Sequence, residues 1–168
     1  IGDALSLVAA ESSGQALEAL DAIEVSIEEL PGVFSPLEAM DPSAPLVHSK
    51  KQNIMSYYKV RKGRIEEALA KADVLVENTY RTPFVEHAYL ETESSVARVE
   101  GDGITIWCST QNPHYDRSEI ASVLAIGKHR VRVIQLATGG GFGGKLDIST
   151  QCHAALLAWS TRRPVKLT

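Results

Sequence analysis

The stretch Gly139-Gly140-Gly141-Phe142-Gly143-Gly144-Lys145 separates a β-rich segment, residues 131–137, from a helix-like segment, residues 149–159. Five of its seven residues are glycine. Glycine adopts positive φ at little cost and lets another group come close to the backbone. A strand, a glycine loop and a helix in this order leave backbone N–H groups free for an anion or an oxo group. The stretch therefore predicts a cofactor-binding loop, and a flexible surface loop is the alternative.

Two nucleotide-binding patterns fit the same loop. The P-loop pattern G-x-x-x-x-G-K spans residues 139–145, but Leu146 stands where the magnesium-binding Ser or Thr belongs. The dinucleotide pattern G-x-G-x-x-G also fits, but Arg162-Arg163-Pro164 occupies the place of the expected acidic ribose partner. Each pattern fails its second requirement. A P-loop-like nucleotide-binding domain remains the alternative from another enzyme class.

Composition indicates an ordinary globular chain, with 44% hydrophobic and 23% charged residues among 168. The formal net charge of -4 gives no electrostatic case for nucleic acid. No apolar run is long enough for a membrane span, and no secretory signal is visible. The two cysteines, Cys108 and Cys152, form no CxxC and are too few for an iron–sulfur cluster. We expect a cytoplasmic protein without a nucleic-acid or membrane partner.

An ordered series of further motifs lies on both sides of the loop in the sequence. These are Glu86-His87-Ala88-Tyr89-Leu90-Glu91, Ser109-Thr110-Gln111-Asn112-Pro113, Arg163-Pro164-Val165-Lys166-Leu167 and, nearer the start, Gly2-Asp3-Ala4, Ile23-Glu24-Val25 and Leu30-Pro31-Gly32-Val33-Phe34. The series resembles the molybdopterin-binding (large) subunit of the xanthine dehydrogenase and aldehyde oxidase family of molybdenum hydroxylases. The resemblance runs over essentially the whole chain.

The resemblance implies a molybdenum–molybdopterin cofactor and a role for particular residues. Gly140, Gly141, Phe142 and Gly143 match the loop that approaches the metal, and free N–H groups there suit an oxo ligand. Gln111 matches a glutamine that hydrogen-bonds an oxo ligand through a neutral amide. Gln111 and Phe142 are therefore expected near the molybdenum without ligating it.

The resemblance also implies what is missing. Family members that oxidise xanthine place a glutamate where this chain has Leu146. Leu146 is therefore expected on an apolar substrate wall, suited to an aldehyde or to an N-heterocycle such as a nicotinate-like ring. The family's general-base glutamate is expected beyond Thr168, so no catalytic residue is assigned to this chain. Iron–sulfur and FAD centres are expected on other domains or subunits, and the chain alone is expected to be inactive.

Four other residues near the motifs carry weaker assignments. Glu86 and His87 are expected to support the cofactor site structurally rather than to bind a metal, because their spacing is not that of H-E-x-x-H. His153 is expected in the core or at the cofactor edge. Cys152 matches a position near the pterin in several family members, and packing is the alternative.

The pattern of the whole chain predicts an α+β fold. Residues 1–50 are expected to be the end of the family's first (a/b hammerhead) domain, a small β-α-β unit followed by a linker, and residues 51–168 the start of its mixed α/β molybdopterin-binding domain. Because both ends fall in strand-like runs, we expect a segment of a longer polypeptide; a non-catalytic structural or interaction domain is the remaining alternative. The expected strands are 4–10, 24–28, 74–80, 89–99, 104–109 and 131–137, and the expected helices are 12–22, 65–71, 118–125 and 149–159.

Overall fold

The computed structural model describes residues 2–48 and 52–168. They divide into two compact units, Ile1–Glu24 with Pro83–Thr168, and Val25–Thr82. The predicted domain boundary between residues 50 and 51 lies outside the described residues.

In chain order the elements are α1 (Ser13–Asp21), α2 (Pro36–Ala39), α3 (Ile65–Ala70), β1 (Ser95–Glu100), β2 (Gly103–Cys108), α4 (Pro113–Val123), a 3-10 turn (Lys128–Arg130), β3 (Val131–Gln135), α5 (Gln151–Thr161) and β4 (Val165–Leu167).

The larger unit is built on a four-stranded sheet in the order β3-β2-β1-β4. Strand β1 pairs antiparallel with β2 and with β4, and its pairing with β2 is the predicted hairpin that turns at residues 101–103. Strands β2 and β3 are parallel neighbours, in the register Ile104↔Val131 to Cys108↔Gln135, and α4 connects them. The architecture is therefore mixed α and β, and its β-α-β unit is β2-α4-β3.

The core of this unit lies between the sheet and the helices α4 and α5. Alternate residues of β1 and β2 are buried on one face, among them Ala97 and Ile106, which are Cα partners. Helix α5 contributes small side chains to the core, since Ala154, Ala155 and Ala158 are completely buried. Small side chains let the helix pack close to the strands.

Helix α4 begins earlier than the expected residue 118, because Asn112 caps it. The Asn112 side chain accepts a hydrogen bond from the N–H of Tyr115 at 3.4 Å, and Pro113 occupies the first turn. Both features are favourable helix N-terminal signals. The sequence motif that contains Gln111 therefore ends at a helix N-terminus.

Both cysteines are buried in this core as free thiols. Burial raises the pKa of Cys108 to about 12, with the nearby Asp116 carboxyl as the second cause. Burial likewise raises the pKa of Cys152 to about 11. A raised pKa lowers the thiolate fraction at neutral pH, and the thiolate is the reactive species.

We therefore expect both cysteines to resist alkylation in the folded protein. At pH 8 roughly one Cys152 in a thousand and one Cys108 in ten thousand is a thiolate, so iodoacetamide should leave both residues unmodified. Mass spectrometry of the peptides carrying Cys108 and Cys152, with denatured protein as the fully labelled control, measures this. Equal labelling of native and denatured protein would contradict it.

The smaller unit, Val25–Thr82, carries α2 and α3, and no strand forms among its described residues. The side chain of Asn53 organises the segment after α2. Its amide nitrogen donates to the carbonyl oxygens of Pro45 at 2.9 Å and Ala39 at 3.3 Å, and its oxygen accepts from the N–H of Val47 at 2.9 Å. The predicted helix 65–71 is confirmed as α3.

The predicted β-α-β unit at the start of the chain is wrong in its strands. Helix α1 forms as expected, and Ser12 caps it by accepting from the N–H of Gln15. Residues 4–10 and 24–28 are not strands, and the predicted strand 74–80 is absent as well. Apolar side chains in these segments stay in solvent, for example Leu5, 70% exposed, and Ile27, 72% exposed. A strand requires a hydrogen-bonded neighbour, and no described residue pairs with these segments.

In the described part of the chain, no helix is both long enough and apolar enough to cross a bilayer.

Candidate functional site

The parallel pairing of β2 and β3 brings the two strongest motifs together. Gln111 follows the end of β2, and the glycine loop follows the end of β3. The N–H of Leu136 donates to the carbonyl oxygen of Cys108 at 2.9 Å, which keeps the two chain segments side by side past the strand ends. In open sheets, ligand sites form at the carboxyl ends of parallel strands. The topology therefore places Gln111 beside the loop.

Gln111 is bonded to the loop by its main chain and by its side chain. Its backbone N–H donates to the carbonyl oxygen of Lys145 at 2.9 Å. Its side-chain oxygen Oε1 accepts from the N–H of Gly143 at 3.1 Å and of Lys145 at 3.3 Å. Because Oε1 is used twice, the amide nitrogen Nε2 is the group turned away from the loop, and no described residue accepts a hydrogen bond from it.

The loop holds Phe142 in an unusual conformation. Its φ is +50°, in the left-handed region that non-glycine residues rarely adopt, and the side chain is 75% exposed. Gly140 and Gly143 near it also have positive φ, +100° and +95°. Among the described residues, none accepts a hydrogen bond from the N–H of Gly140, Gly141 or Phe142. The bend therefore has three consecutive N–H groups without an acceptor among the described residues, beside an exposed aromatic ring, although Gly141 itself is buried.

Three glycines of the loop are required because side chains of other segments come close to the backbone. A Cβ at Gly141 would lie 2.5 Å from Oε1 of Gln111, a Cβ at Gly144 would lie 2.7 Å from the ring of Tyr89, and a Cβ at Gly139 would lie 2.7 Å from Cβ of Glu91. Real Cβ atoms do not approach heavy atoms so closely, so any side chain would displace its neighbour. The loop can take this shape only with glycine at all three positions.

The motif at residues 86–91 lies along the other side of the loop. His87 and Tyr89 border Gly144, and Glu91 borders Gly139, although the segment is not a regular strand, since Ala88 has a φ of +49° and the chain bends at Leu90 and Glu91. The N–H of Glu91 donates to the carbonyl oxygen of Gly139 at 3.3 Å. His87 is thus beside the loop, whereas Glu86 is exposed and accepts from the N–H of His87 at 3.0 Å.

Lys145, the last residue of the loop, is completely buried. Its Nζ donates to Oε2 of Glu91 at 2.8 Å and to Oγ of Ser109 at 3.0 Å, and it lies 4.8 Å from the centre of the Tyr89 ring. An ammonium ion above an aromatic face is a favourable cation–π contact. The three partners come from the two motifs that flank the loop.

The ion pair has an electrostatic effect on Glu91. The hydrogen bond from Lys145, followed by the one from the N–H of Gly139, holds the pKa of Glu91 below its ordinary value of 4.5. A carboxyl whose pKa is depressed by folding stabilises the folded state above its unfolded pKa. This contribution is lost as the pH falls through the lowered folded value, so the pair persists throughout the neutral range.

The same geometry argues against the P-loop alternative. A P-loop lysine extends its ammonium group towards bound phosphates. Here the ammonium of Lys145 is buried against Glu91, and the helix that follows the loop begins only at Gln151. The ammonium group has no solvent exposure and is paired with a carboxylate, so it is not placed to bind a phosphate.

The remaining predicted residues divide between the loop surface and the core. Leu146 is 45% exposed directly after the loop, and its N–H donates to the carbonyl oxygen of Gly143 at 3.3 Å. Cys152 is buried in the core cluster, which supports the packing alternative. His153 is half-buried on α5.

Sequence reasoning missed the roles of Glu91, Ser109 and the Lys145 side chain. Glu91 and Ser109 both lie in motifs that the sequence singles out, but their neighbours Glu86 and Gln111 attract the assignments. Strand periodicity was no signal for Glu91, because the left-handed φ of Ala88 and the bend at Leu90 interrupt the segment. Burial of a lysine cannot be read from sequence, because lysine is one of the least buried residue types.

Comparison with known proteins identifies the family of the chain. The family model described as molybdopterin cofactor-binding domain matches residues 47–168. The nicotinate dehydrogenase large molybdopterin subunit of Eubacterium barkeri is 44% identical over 167 residues, 99% of this chain and 39% of that protein. The xanthine dehydrogenase molybdenum-binding subunit of Escherichia coli O157:H7 is 34% identical over 157 residues, 93% of this chain and 21% of that protein.

A solved structure is similar over most of the chain. The crystal structure of quinoline 2-oxidoreductase from Pseudomonas putida 86 matches with a TM-score of 0.80 and 28% sequence identity. The match covers 94% of this chain and 20% of that one. The chain therefore spans well under half the length of each of these relatives.

Proposed function

Since the chain belongs to the molybdopterin cofactor-binding domain family, we propose that its glycine loop and Gln111 form one wall of the molybdenum site in a molybdenum hydroxylase. The observation that carries this proposal is that Gln111 is hydrogen-bonded to the glycine loop through Oε1. Among the described residues, none accepts a hydrogen bond from Nε2 of Gln111 or from the N–H groups of residues 140–142.

The residues present fit such a cofactor. The donors are neutral backbone and amide groups, which suit oxo and other anionic metal ligands without adding charge. At Gly143 the nearest atom to a Cβ would be 3.8 Å away, so another group can come close to the backbone there, whereas side chains of this chain already fill that space at Gly140 and Gly141. The protein supplies no cluster of three or more His, Cys, Asp or Glu among the described residues that could hold a metal directly. A metal carried by its own organic ligand is compatible with that donor set.

When bound, the molybdenum–pterin group supplies the redox chemistry that inserts a water-derived oxygen at a substrate carbon. This chain's own contribution is to bind and to orient. Gly140, Gly141 and Phe142 present N–H donors, and Gln111 holds its amide nitrogen outward because the loop occupies its oxygen.

We propose an aldehyde or N-heterocycle carbon as the point of reaction, with an N-heterocycle as the preferred substrate. Two observations support this preference: Leu146 gives the loop's end an apolar surface, and the nicotinate dehydrogenase subunit is 44% identical. Electrons released from substrate require acceptors, and this chain has only two cysteines, both buried. Iron–sulfur and FAD centres on other domains or subunits fill that role in the proposal.

The proposal includes the arrangement of the complete subunit. Residues 1–50 would belong to the a/b hammerhead domain with its linker, and residues 51–168 to the molybdopterin-binding domain. The match of the family model to residues 47–168 supports this division. The rest of the subunit would provide the general-base glutamate, so this chain alone would not turn over substrate.

Metal and pterin analysis of the complete subunit, purified in active form, tests the proposed function. We expect about one molybdenum and one pterin for each copy of the active protein, together with oxidation of at least one aldehyde or N-heterocycle in a small panel. Activity without either component would overturn the proposal.

Leu146 provides a prediction about substrate choice. In the complete subunit, Leu146→Glu should shift kcat/KM towards purines by about tenfold relative to nicotinate-like rings, because a carboxylate can hydrogen-bond a purine N–H and disfavours an apolar edge. Competition kinetics with the two substrate classes measures the shift, and Leu156→Glu, on the exposed side of α5, is the control. An unchanged preference would remove Leu146 from the substrate wall.

A further inference from the structure

We propose that Glu91 and Lys145, which we call the loop clamp, are positioning residues that set the shape of the glycine loop towards the cofactor. This inference rests on the proposed function and deepens it. Its basis is that one carboxylate oxygen, Oε2 of Glu91, bonds both ends of the loop. It accepts from the N–H of Gly139 at 2.6 Å and from Nζ of Lys145 at 2.8 Å.

The clamp joins the two ends of a loop that is otherwise held by Gln111 and by one backbone hydrogen bond between Glu91 and Gly139. Glycine loses more conformational freedom on ordering than any other residue, so a loop with five glycines needs fixed ends to keep one shape. Phe142 adds to this need, because its positive φ is unfavourable for a residue with a side chain. A single acceptor that joins residues 139 and 145 supplies the constraint at both ends.

The clamp also determines where Gln111 lies. The main chain of Lys145 bonds Gln111 twice, through its carbonyl oxygen to the backbone N–H and through its N–H to Oε1. The position of that main chain follows from the buried side chain. Nζ must stay with Glu91, Ser109 and the Tyr89 ring, since a buried ammonium ion without partners is strongly disfavoured. Glu91 thus acts on the proposed cofactor donors through Lys145.

Among the described residues, no other charged side chain forms an ion pair with Lys145 or with Glu91. The side chain of Lys145 has no solvent exposure, whereas that of Glu91 is 39% exposed. Glu93, two residues after the motif, accepts hydrogen bonds from the hydroxyl groups of Tyr89 and Ser149. The ion pair is therefore specific, and a change in the length of one side chain cannot be corrected by a neighbour.

Glu91→Asp in the complete, cofactor-loaded subunit tests the clamp. Aspartate keeps the charge, so Lys145 is not left as a buried unpaired ion, but it is one methylene too short to hold both ends of the loop. We expect hydrogen exchange in residues 139–145, followed by mass spectrometry, to rise by about tenfold or more. We also expect kcat to fall by roughly tenfold to a hundredfold with a smaller change in KM, because small misplacements of positioning groups are costly.

Lys145→Met removes the clamp entirely and should exceed both effects, with an altered circular dichroism spectrum of the bound cofactor. Should this variant fail to fold, Glu91→Asp still decides the question. The matched control is Glu67→Asp, which shortens the exposed ion pair between Arg64 and Glu67 (2.9 Å) on α3 and should change neither readout.

Unchanged loop exchange and unchanged kcat in Glu91→Asp would overturn the clamp and leave Lys145 as a buried structural residue. The exchange readout does not need the cofactor. Active wild-type protein without molybdopterin would therefore overturn the proposed function, while the exchange rates in the variant would still judge whether Glu91 fixes the loop.

Discussion

Gly141→Ala should abolish most cofactor binding in the complete subunit. The added Cβ would stand 2.5 Å from Oε1 and 2.7 Å from Cδ of Gln111, so either the amide or the bend has to move. Overpacking of this kind costs about 1–3 kcal/mol, which corresponds to roughly a tenfold or greater loss of affinity. Moving the amide also releases the N–H groups of Gly143 and Lys145, from which its oxygen now accepts.

Molybdenum and pterin content of the purified variant measures this loss. Gly14→Ala is the matched control, because a Cβ at Gly14 in α1 meets no atom within 4 Å. Its cofactor content should equal that of the wild type, and alanine in place of a helical glycine should if anything stabilise α1. Normal cofactor content in Gly141→Ala would contradict the close packing of amide and loop as a requirement for binding.

Gln111→Glu should lower kcat by roughly a hundredfold while the fold and the molybdenum content stay near wild type. Glutamate has the same shape, and one carboxylate oxygen can still accept from the N–H groups of Gly143 and Lys145. What disappears is the Nε2 donor, which becomes a second, negatively charged acceptor. The substitution therefore separates the donor role of Gln111 from its role in holding the loop.

Steady-state kinetics together with metal analysis distinguish the two roles. Gln111→Ala should lose both of them, so its loop exchange should rise as well as its kcat fall. Gln52→Glu, an exposed glutamine in the smaller unit, controls for the added charge. A Gln111→Glu variant with wild-type kinetics would remove the amide donor from the proposed site.

The sequence alone was sufficient for the family, because the ordered motifs and the glycine loop consist of residue types that have few substitutes. Glycine is needed where side chains of other segments touch the backbone, as at Gly141 and Gly144. The hairpin of β1 and β2 and the helices α1, α3 and α5 were also predicted, since local periodicity and turn residues specify them.

The expected strands around α1 failed for a different reason. Residues 4–10 and 24–28 have strand-like composition, but composition does not provide a hydrogen-bonded neighbour. Pairing is a property of two segments. The parallel pairing of β2 and β3 also depends on two segments that are distant in sequence. The sequence did not predict this pairing, which decides where the site lies.

What the sequence determined by itself is thus the chemistry available to the chain: a bend of glycines with one phenylalanine, an amide and a lysine. Only the tertiary structure decided how those groups are used. It turned Lys145 inward against Glu91, placed the oxygen of Gln111 on the loop and left three N–H groups of the bend without an acceptor among the described residues. The physical reason is that burial and partnership depend on contacts between residues distant in sequence, and these contacts exist only after the strands have paired.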